Sequence, residues 1–253
     1  MKLTAENFGD HFRSGGQAVN AWCGIPSTVT AEIVARAGFD MLTIDMQHGL
    51  VDYQSVLSML QAMQASDAPK LVRVPWNEPG IIMKVLDAGA DGVICPMVNS
   101  AADARALVAA ARYAPVGTRS YGPVRAAMLH QDYVARSGDL VQVFAMIETA
   151  EALAQRDEIM AVEGLSGVYV GPADLGLSMG YQPTLLPEEP AVLEAIAQVL
   201  ASARQAGLLA GIHCGNGARV RAVQAQGFDF GSLSTDGGIF TRAIAAALEE
   251  ARG

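Results

Sequence analysis

Lysine is nearly absent from this chain: its 253 residues include three, Lys2, Lys70 and Lys84. Lys70 opens an apolar strand pattern and Lys84 sits within a helical one, so neither is placed to send an amine into a pocket. Imine chemistry and pyridoxal phosphate are therefore not expected. Cysteine is equally scarce, with Cys23, Cys95 and Cys214 far apart, odd in number and without a CxxC pair. That excludes a disulfide framework and fits a reduced, cytoplasmic setting. Positive charge is in deficit, 17 Lys and Arg against 26 Asp and Glu for a net −9, which argues against nucleic acid and anionic membranes as partners. No basic start precedes an apolar core, so no secretory signal is expected. The longest apolar stretch, Val192 to Ile212, is interrupted by Glu194, Gln198 and Arg204 and does not read as a membrane span.

What is present is apolar material, 51% of the residues, in a regular alternation. Residues 4–14 read as a short leading helix, with Thr4 as N-cap and Gly15-Gly16 as its stop. Strand-like runs follow at 18–22, 41–46, 70–74, 92–96, 141–147, 167–171, 208–213 and 229–234. Helical patterns lie between and after them at 30–37, 53–64, 79–87, 100–111, 149–161, 190–206, 216–225 and 237–251. Eight strands each followed by a helix predict an α/β fold, a single (β/α)8 TIM barrel over 1–253. Residues 112–140 read as a long irregular connection entering strand five from the non-catalytic end.

Catalytic groups of a barrel sit at the C-terminal ends of its strands. The polar residues there are Trp22, Asp45, Gln47, His48, Arg73, Glu148, Asp174, His213 and Asp236. Glu148 and Asp174 follow successive strands. As a pair they offer oxygen ligands to a hard divalent cation, although either could serve as a helix-start acid; their recurrence at equivalent strand ends favours the metal. An Asp that holds a nearby His fixes its tautomer and raises its basicity, so Asp45 and His48 read as an oriented base. Arg73 lies within an apolar strand, where a guanidinium is costly to bury unless it meets an anion, either a carboxylate or an enolate. Gly171-Pro172-Ala173 permits close backbone approach, and the amides opening the next turn can hold a carboxylate. His213-Cys214 with His48 lacks the local spacing of a zinc site.

These residues resemble those of the class II 2-oxo-acid (pyruvate) aldolases of the HpcH/HpaI family. The similarity covers nearly the whole chain. It runs through Ala35-Arg36-Ala37-Gly38-Phe39-Asp40, Ile44-Asp45-Met46-Gln47-His48, Val72-Arg73-Val74, Leu86-Asp87-Ala88-Gly89-Ala90, Pro96-Met97-Val98, Met146-Ile147-Glu148-Thr149 and Gly171-Pro172-Ala173-Asp174-Leu175. The resemblance implies reversible cleavage of 4-hydroxy-2-oxo acids to pyruvate or hydroxypyruvate and an aldehyde through a metal-stabilised enolate. Mg²⁺ or Mn²⁺, or Co²⁺, would be held by Glu148 and Asp174. His48, oriented by Asp45, would be the base, acting through a water on the metal. Arg73 would neutralise the enolate oxygen. The backbone of Gly171, Pro172, Ala173 and Asp174 would hold the carboxylate, with Trp22 and Gln47 lining the substrate site.

Two positions depart from the family pattern: Gln47 stands where many relatives have Glu, and Met146 where they have Gln. Both change the polar lining and bear on the aldehyde and the donor. The resemblance further implies a homo-oligomer, a hexamer built as a trimer of dimers that exchange the last helix, with Asp87 and Arg125 completing a neighbour's site. It also implies a role in the catabolism of aromatic compounds or of sugar acids. A CoA-ester lyase of malyl- or citryl-CoA type would use the same carboxylates but needs a basic surface that this acidic chain offers sparingly. A catalytically silent barrel would be expected to have lost one of His48, Arg73, Glu148 and Asp174, all of which are present.

Overall fold

Eight apolar runs form β1 (Ala18–Cys23), β2 (Met41–Asp45), β3 (Lys70–Arg73), β4 (Gly92–Cys95), β5 (Gln142–Ile147), β6 (Gly167–Val170), β7 (Leu209–His213) and β8 (Phe230–Thr235) in a computed structural model that describes residues 2–253. All neighbours pair in parallel, and β8 returns to β1, so the sheet closes into a barrel. Every strand end lies within one residue of its expected position.

The helices are α1 (Phe8–Arg13), α2 (Thr28–Arg36), α3 (Tyr53–Ala62), α4 (Pro79–Asp87), α5 (Ala101–Ala111), α6 (Ala126–Leu129), α7 (Tyr133–Leu140), α8 (Ala150–Ala154), α9 (Arg156–Met160), α10 (Pro172–Ser178), α11 (Pro190–Gln205), α12 (Gly217–Gln226) and α13 (Asp236–Arg252). Local chemistry sets many of their starts. Ser27, Asp52, Ser100, Thr149 and Asn216 each accept a backbone N–H two or three residues into the helix.

Period-two alternation divides the strands between two cores. Val143, Ala145 and Ile147 of β5 face the surrounding helices, whereas Phe144 and Met146 point inward with Trp22, Met41, Leu71, Ile94, Tyr169 and Phe230. Leu3, Phe8 and Phe12 join this inner layer and close its lower end, with the Phe12 and Phe230 ring centroids 6.4 Å apart. The leading segment is thus a stopper for the barrel. It begins as a 3-10 turn, Ala5–Asn7, with Thr4 at the N-cap, whose amide donates to Asn7 Oδ1 at 2.9 Å.

Three expected features differ. The helix over 149–161 breaks at Gln155 into α8 and α9. The helical segment expected after Asp174 is a separate short helix, α10, ahead of the 190–206 helix, and it starts on Pro172, whose missing N–H costs nothing at a first helical position. The 112–140 connection is ordered by buried cations rather than irregular. Arg112 donates to the carbonyls of Ser137, Gly138, Val141 and Gly164 at 2.8–3.1 Å, and Arg119 bridges Asp87 and the Tyr133 hydroxyl. Asp87 and Arg125, which donates to the Ala88 carbonyl, lie with this connection at the strands' N-terminal end.

The last helix is the weakest part of the packing. No residue of α13 is buried, and its Phe240, Ile244 and Leu248 share one face in the open. The helix α2 also exposes Val29 and Ile33. None of the described helices is long and apolar enough to cross a membrane.

Replacing Arg112 by Ala strands four carbonyls in the interior. Urea unfolding is expected to show a loss of about 2–4 kcal/mol, with the secondary structure of the folded state retained.

Candidate functional site

The inward positions of the strands, followed upward, end in a layer of polar groups. Above Met41 and Thr43 comes Asp45; above Leu71, Arg73; above Leu209 and Gly211, His213. One residue past β5 stands Glu148, and past β6, Gly171. Asp45, Arg73, His213 and Gly171 line a cavity of about 420 Å³ together with Trp22, His48 and Asp174 among others, with Ile25, Leu50, Met146 and Leu185 as its apolar wall.

Asp45 and Arg73 form the rigid part. Arg73 Nε donates to Asp45 Oδ1 at 2.8 Å and Nη2 to Oδ2 at 2.6 Å, a two-pronged pair that is almost wholly buried. Trp22 Nε1 donates to Asp45 Oδ2 at 3.1 Å, and Arg73 Cζ lies 4.9 Å from the Trp22 ring centre. Burial pushes the Asp45 carboxyl upward, but the bonds and charge of Arg73, with Trp22 and the Gln47 amide, outweigh it and hold the group below its ordinary value.

Glu148 lies under the cavity, 1% exposed, and accepts one hydrogen bond, from Met97 N to Oε1 at 2.8 Å. Met97 adopts φ +54°, a left-handed conformation that a non-glycine residue takes only under constraint, and in it the amide meets the carboxylate. A Cβ at Gly171 would come within 2.6 Å of Glu148 Oε2, so glycine is what lets β6 pass. Burial raises the Glu148 carboxyl to about 7; the Met97 N–H opposes this and the Asp174 carboxylate reinforces it. Asp174 stands in the first turn of α10. Its N-cap is Gly171, which offers no side-chain cap, so the Ala173 and Asp174 amides, of residues that line the cavity, have no intrahelical acceptor.

The model of a family described as HpcH/HpaI aldolase/citrate lyase matches residues 20–243. The chain belongs to this family. A hydroxypyruvate/pyruvate aldolase of Rhizorhabdus wittichii is 42% identical over 95% of this chain and 96% of its own length. A 4-hydroxy-2-oxo-heptane-1,7-dioate aldolase of Salmonella arizonae is 37% identical over 96% and 91%. The crystal structure of an HpcH/HpaI aldolase/citrate lyase family protein from Burkholderia cenocepacia superposes with a TM-score of 0.89 at 33% identity, covering 96% of this chain and 98% of that one. The HpcH/HpaI protein described here is a carbon–carbon lyase.

Within this family member, the cavity brings together Trp22, Asp45, His48, Arg73, Gly171, Pro172, Ala173 and Asp174, with Glu148 beneath them. Two expectations need correction. Asp45 does not hold the His48 ring: its Oδ1 accepts the backbone amides of Gln47 at 3.0 Å and His48 at 3.4 Å, and its remaining capacity goes to Arg73 and Trp22. Asp45 therefore shapes the turn that carries His48, and the imidazole stands exposed at the rim with no hydrogen bond among the described residues. Gln47 does not line the cavity; its Oε1 is buried and unpartnered on another side of that turn. A turn pinned at both amides projects neighbouring side chains in different directions.

Sequence reasoning named no role for Met97 or Tyr169. Met97 lacks a local signal, because its function is carried by a backbone amide. Tyr169 stands one alternation below Gly171, fully buried, stacked on Trp22 at 5.4 Å. Asp236 starts α13 and accepts the Gly24 and Ile25 amides at 2.8 and 3.3 Å. Cys214 is buried core, and among the described residues no group of three or more His, Cys, Asp and Glu is arranged to hold a metal.

Because the folded Glu148 carboxyl holds its proton up to about pH 7 and the ordinary value is 4.5, the native state binds more protons than the unfolded chain between these limits. The stabilising contribution is full below pH 4.5 and is lost as pH rises through 7. In chelator-containing buffer, unfolding free energies should fall across this window by at most about 3 kcal/mol relative to Glu148→Gln, which lacks the titration.

Proposed function

We propose that this enzyme, as one barrel domain over 1–253, is a divalent-metal-dependent aldolase. It would reversibly cleave 4-hydroxy-2-oxo acids to pyruvate or hydroxypyruvate and an aldehyde. The observation that carries this reading is the buried Glu148 carboxylate, held by a single hydrogen bond beside Asp174 and under a cavity that holds the Asp45–Arg73 pair.

The donor set fits a hard cation such as Mg²⁺, Mn²⁺ or Co²⁺. Glu148 has acceptor capacity to spare at a depth where an uncompensated carboxylate is costly. Two carboxylates leave the other positions of an oxygen-coordinated ion to water and substrate. When bound by Glu148 and Asp174, such a cation supplies Lewis-acid polarisation of the 2-oxo group.

The protein's own groups divide the remaining work. The free amides of Ala173 and Asp174 at the start of α10 donate hydrogen bonds to the carboxylate of the 2-oxo acid. Arg73, fixed in position by Asp45, balances negative charge as it develops on the 2-oxo oxygen. In the condensation direction His48 takes a proton from C3 of the donor, the resulting enolate carbon bonds to the aldehyde carbon, and the aldehyde oxygen, now an alkoxide, takes that proton to become the 4-hydroxyl. In cleavage the 4-hydroxyl gives up its proton as C4=O forms, the bond between C3 and C4 breaks with its electron pair going to C3, and the proton is delivered there. Trp22 gives the donor an aromatic wall. The apolar surface of Ile25, Leu50, Met146 and Leu185 receives the aldehyde's substituent. Arg73 and the two imidazoles are the basic groups at the cavity, and Arg73 is already paired, which disfavours the CoA-ester lyase alternative.

We place the active form as a homo-oligomer, a trimer of dimers whose subunits exchange α13. Support comes from that helix burying no residue while Phe240, Ile244 and Leu248 share its open face and α2 exposes Val29 and Ile33. Asp87 and Arg125 lie away from their own chain's cavity, so they would complete a site only across such an assembly.

Pyruvate in D₂O should lose its methyl proton signal with Mg²⁺ or Mn²⁺, and the loss should stop in EDTA; hydroxypyruvate is run in parallel. His48→Ala is expected to slow exchange by about 100-fold, and full exchange in that variant would assign the base elsewhere. If neither donor exchanges with metal present, the aldolase proposal fails. For the assembly, light scattering after chromatography should show Phe240→Asp/Ile244→Asp as a smaller species than the unmodified protein, and an unchanged mass would rule out exchange of α13.

A further inference from the structure

Beneath the cavity runs a polar chain that the chemistry above does not use. Asn20 Nδ2 donates to Thr43 Oγ1 at 2.9 Å and to Ser232 Oγ at 2.8 Å, and Thr43 Oγ1 donates to Asn20 Oδ1 at 3.1 Å. The Tyr169 hydroxyl donates to the same Ser232 Oγ at 2.7 Å, and its oxygen lies 3.1 Å from His213 Nδ1. Asn20, Thr43, Tyr169 and Ser232 are all 0% exposed. Four buried polar side chains from four strands are a costly insertion into a layer otherwise filled by Met41, Leu71, Ile94, Phe144 and Phe230. Their outlet is a single imidazole.

With the Tyr169 hydroxyl donating to Ser232, its oxygen is left to accept from His213, and this assigns the imidazole hydrogen to Nδ1. Nε2 keeps its lone pair and has no partner among the described residues, on a ring that lines the cavity. Burial, reinforced by the charge of Arg73, pushes the imidazole down to about 4, so this lone pair is free at neutral pH. The ring packs edge-on against Trp22 at 4.8 Å, a contact that supports this orientation.

We propose that His213 is a specificity-determining residue that accepts a hydrogen bond at Nε2 from a substrate hydroxyl adjacent to the carbonyl, with Tyr169 as its positioning residue. The proposal rests on the aldolase reading of the cavity and adds a substrate class to it: hydroxylated carbonyl compounds over their deoxy analogues. A site built to pair with a hydroxyl disfavours the compound lacking it, because the protein group is then left unsatisfied. The hydroxyl can be carried by the donor, as in hydroxypyruvate, or by the aldehyde, as in glycolaldehyde.

The test measures kcat/KM for hydroxypyruvate against pyruvate with one aldehyde, and for glycolaldehyde against acetaldehyde with one donor. In the responding pair the unmodified enzyme favours the hydroxylated member. His213→Leu should lower kcat/KM for that member by about 10-fold or more while the deoxy member stays within about twofold. His213→Asn, which keeps a hydrogen-bonding group, should retain part of the preference. Tyr169→Phe should lose part of it with the imidazole still present. The pair that responds identifies which substrate carries the hydroxyl. Equal losses in both members of each pair, or unchanged ratios in all three variants, overturn the proposal. Proton exchange by the unmodified enzyme separates the two failures: exchange with unchanged ratios removes the His213 assignment alone, whereas no exchange with either donor removes the aldolase reading and this inference with it.

Discussion

The buried pairing of Asp45 with Arg73 is the constraint on which the upper end of the barrel depends. Each side chain would be expensive alone at that depth. Together, with Trp22 donating to the same carboxylate, they join β1, β2 and β3 by side chains just where the main-chain ladder ends. The pair fixes a guanidinium against a cavity wall and, through the spare lone pairs of Asp45, folds the turn that presents His48. One ion pair thus sets the position of one group and the backbone path of another.

Glu148 is the counterweight. Asp45 has its full complement of partners and is held ionised, whereas Glu148 has one amide and a neighbouring carboxylate. The fold therefore holds one fully partnered carboxylate and one under-partnered carboxyl in the same polar layer, a pattern expected where binding energy is supplied by something other than the chain itself. Met97, in its left-handed conformation, and Gly171, with no room for a Cβ, are the local costs of bringing Glu148 in.

The barrel was legible because eight short apolar runs alternate along the chain with helical patterns. The polar residues at strand ends were legible for the same reason, since position along a strand fixes position relative to the cavity. What lay outside that logic went unread. Turns do not alternate, so Gln47 was assigned to a wall that it does not reach, and Asp45 to an imidazole that it does not touch. The helices within 112–140 were unread because they are short and are held by Arg112 and Arg119 rather than by any repeating apolar face. Tyr169 passed as core because its hydroxyl meets partners on β7 and β8, which no local pattern discloses.

Asp236 joins the two ends of the molecule's behaviour. It is the first residue of α13 and clasps the amides of Gly24 and Ile25 at the cavity's mouth. A helix of 17 residues extends about 25 Å from that point. It is a lever whose fulcrum is the doorway of the cavity, and whatever takes hold of its far end also holds the doorway still.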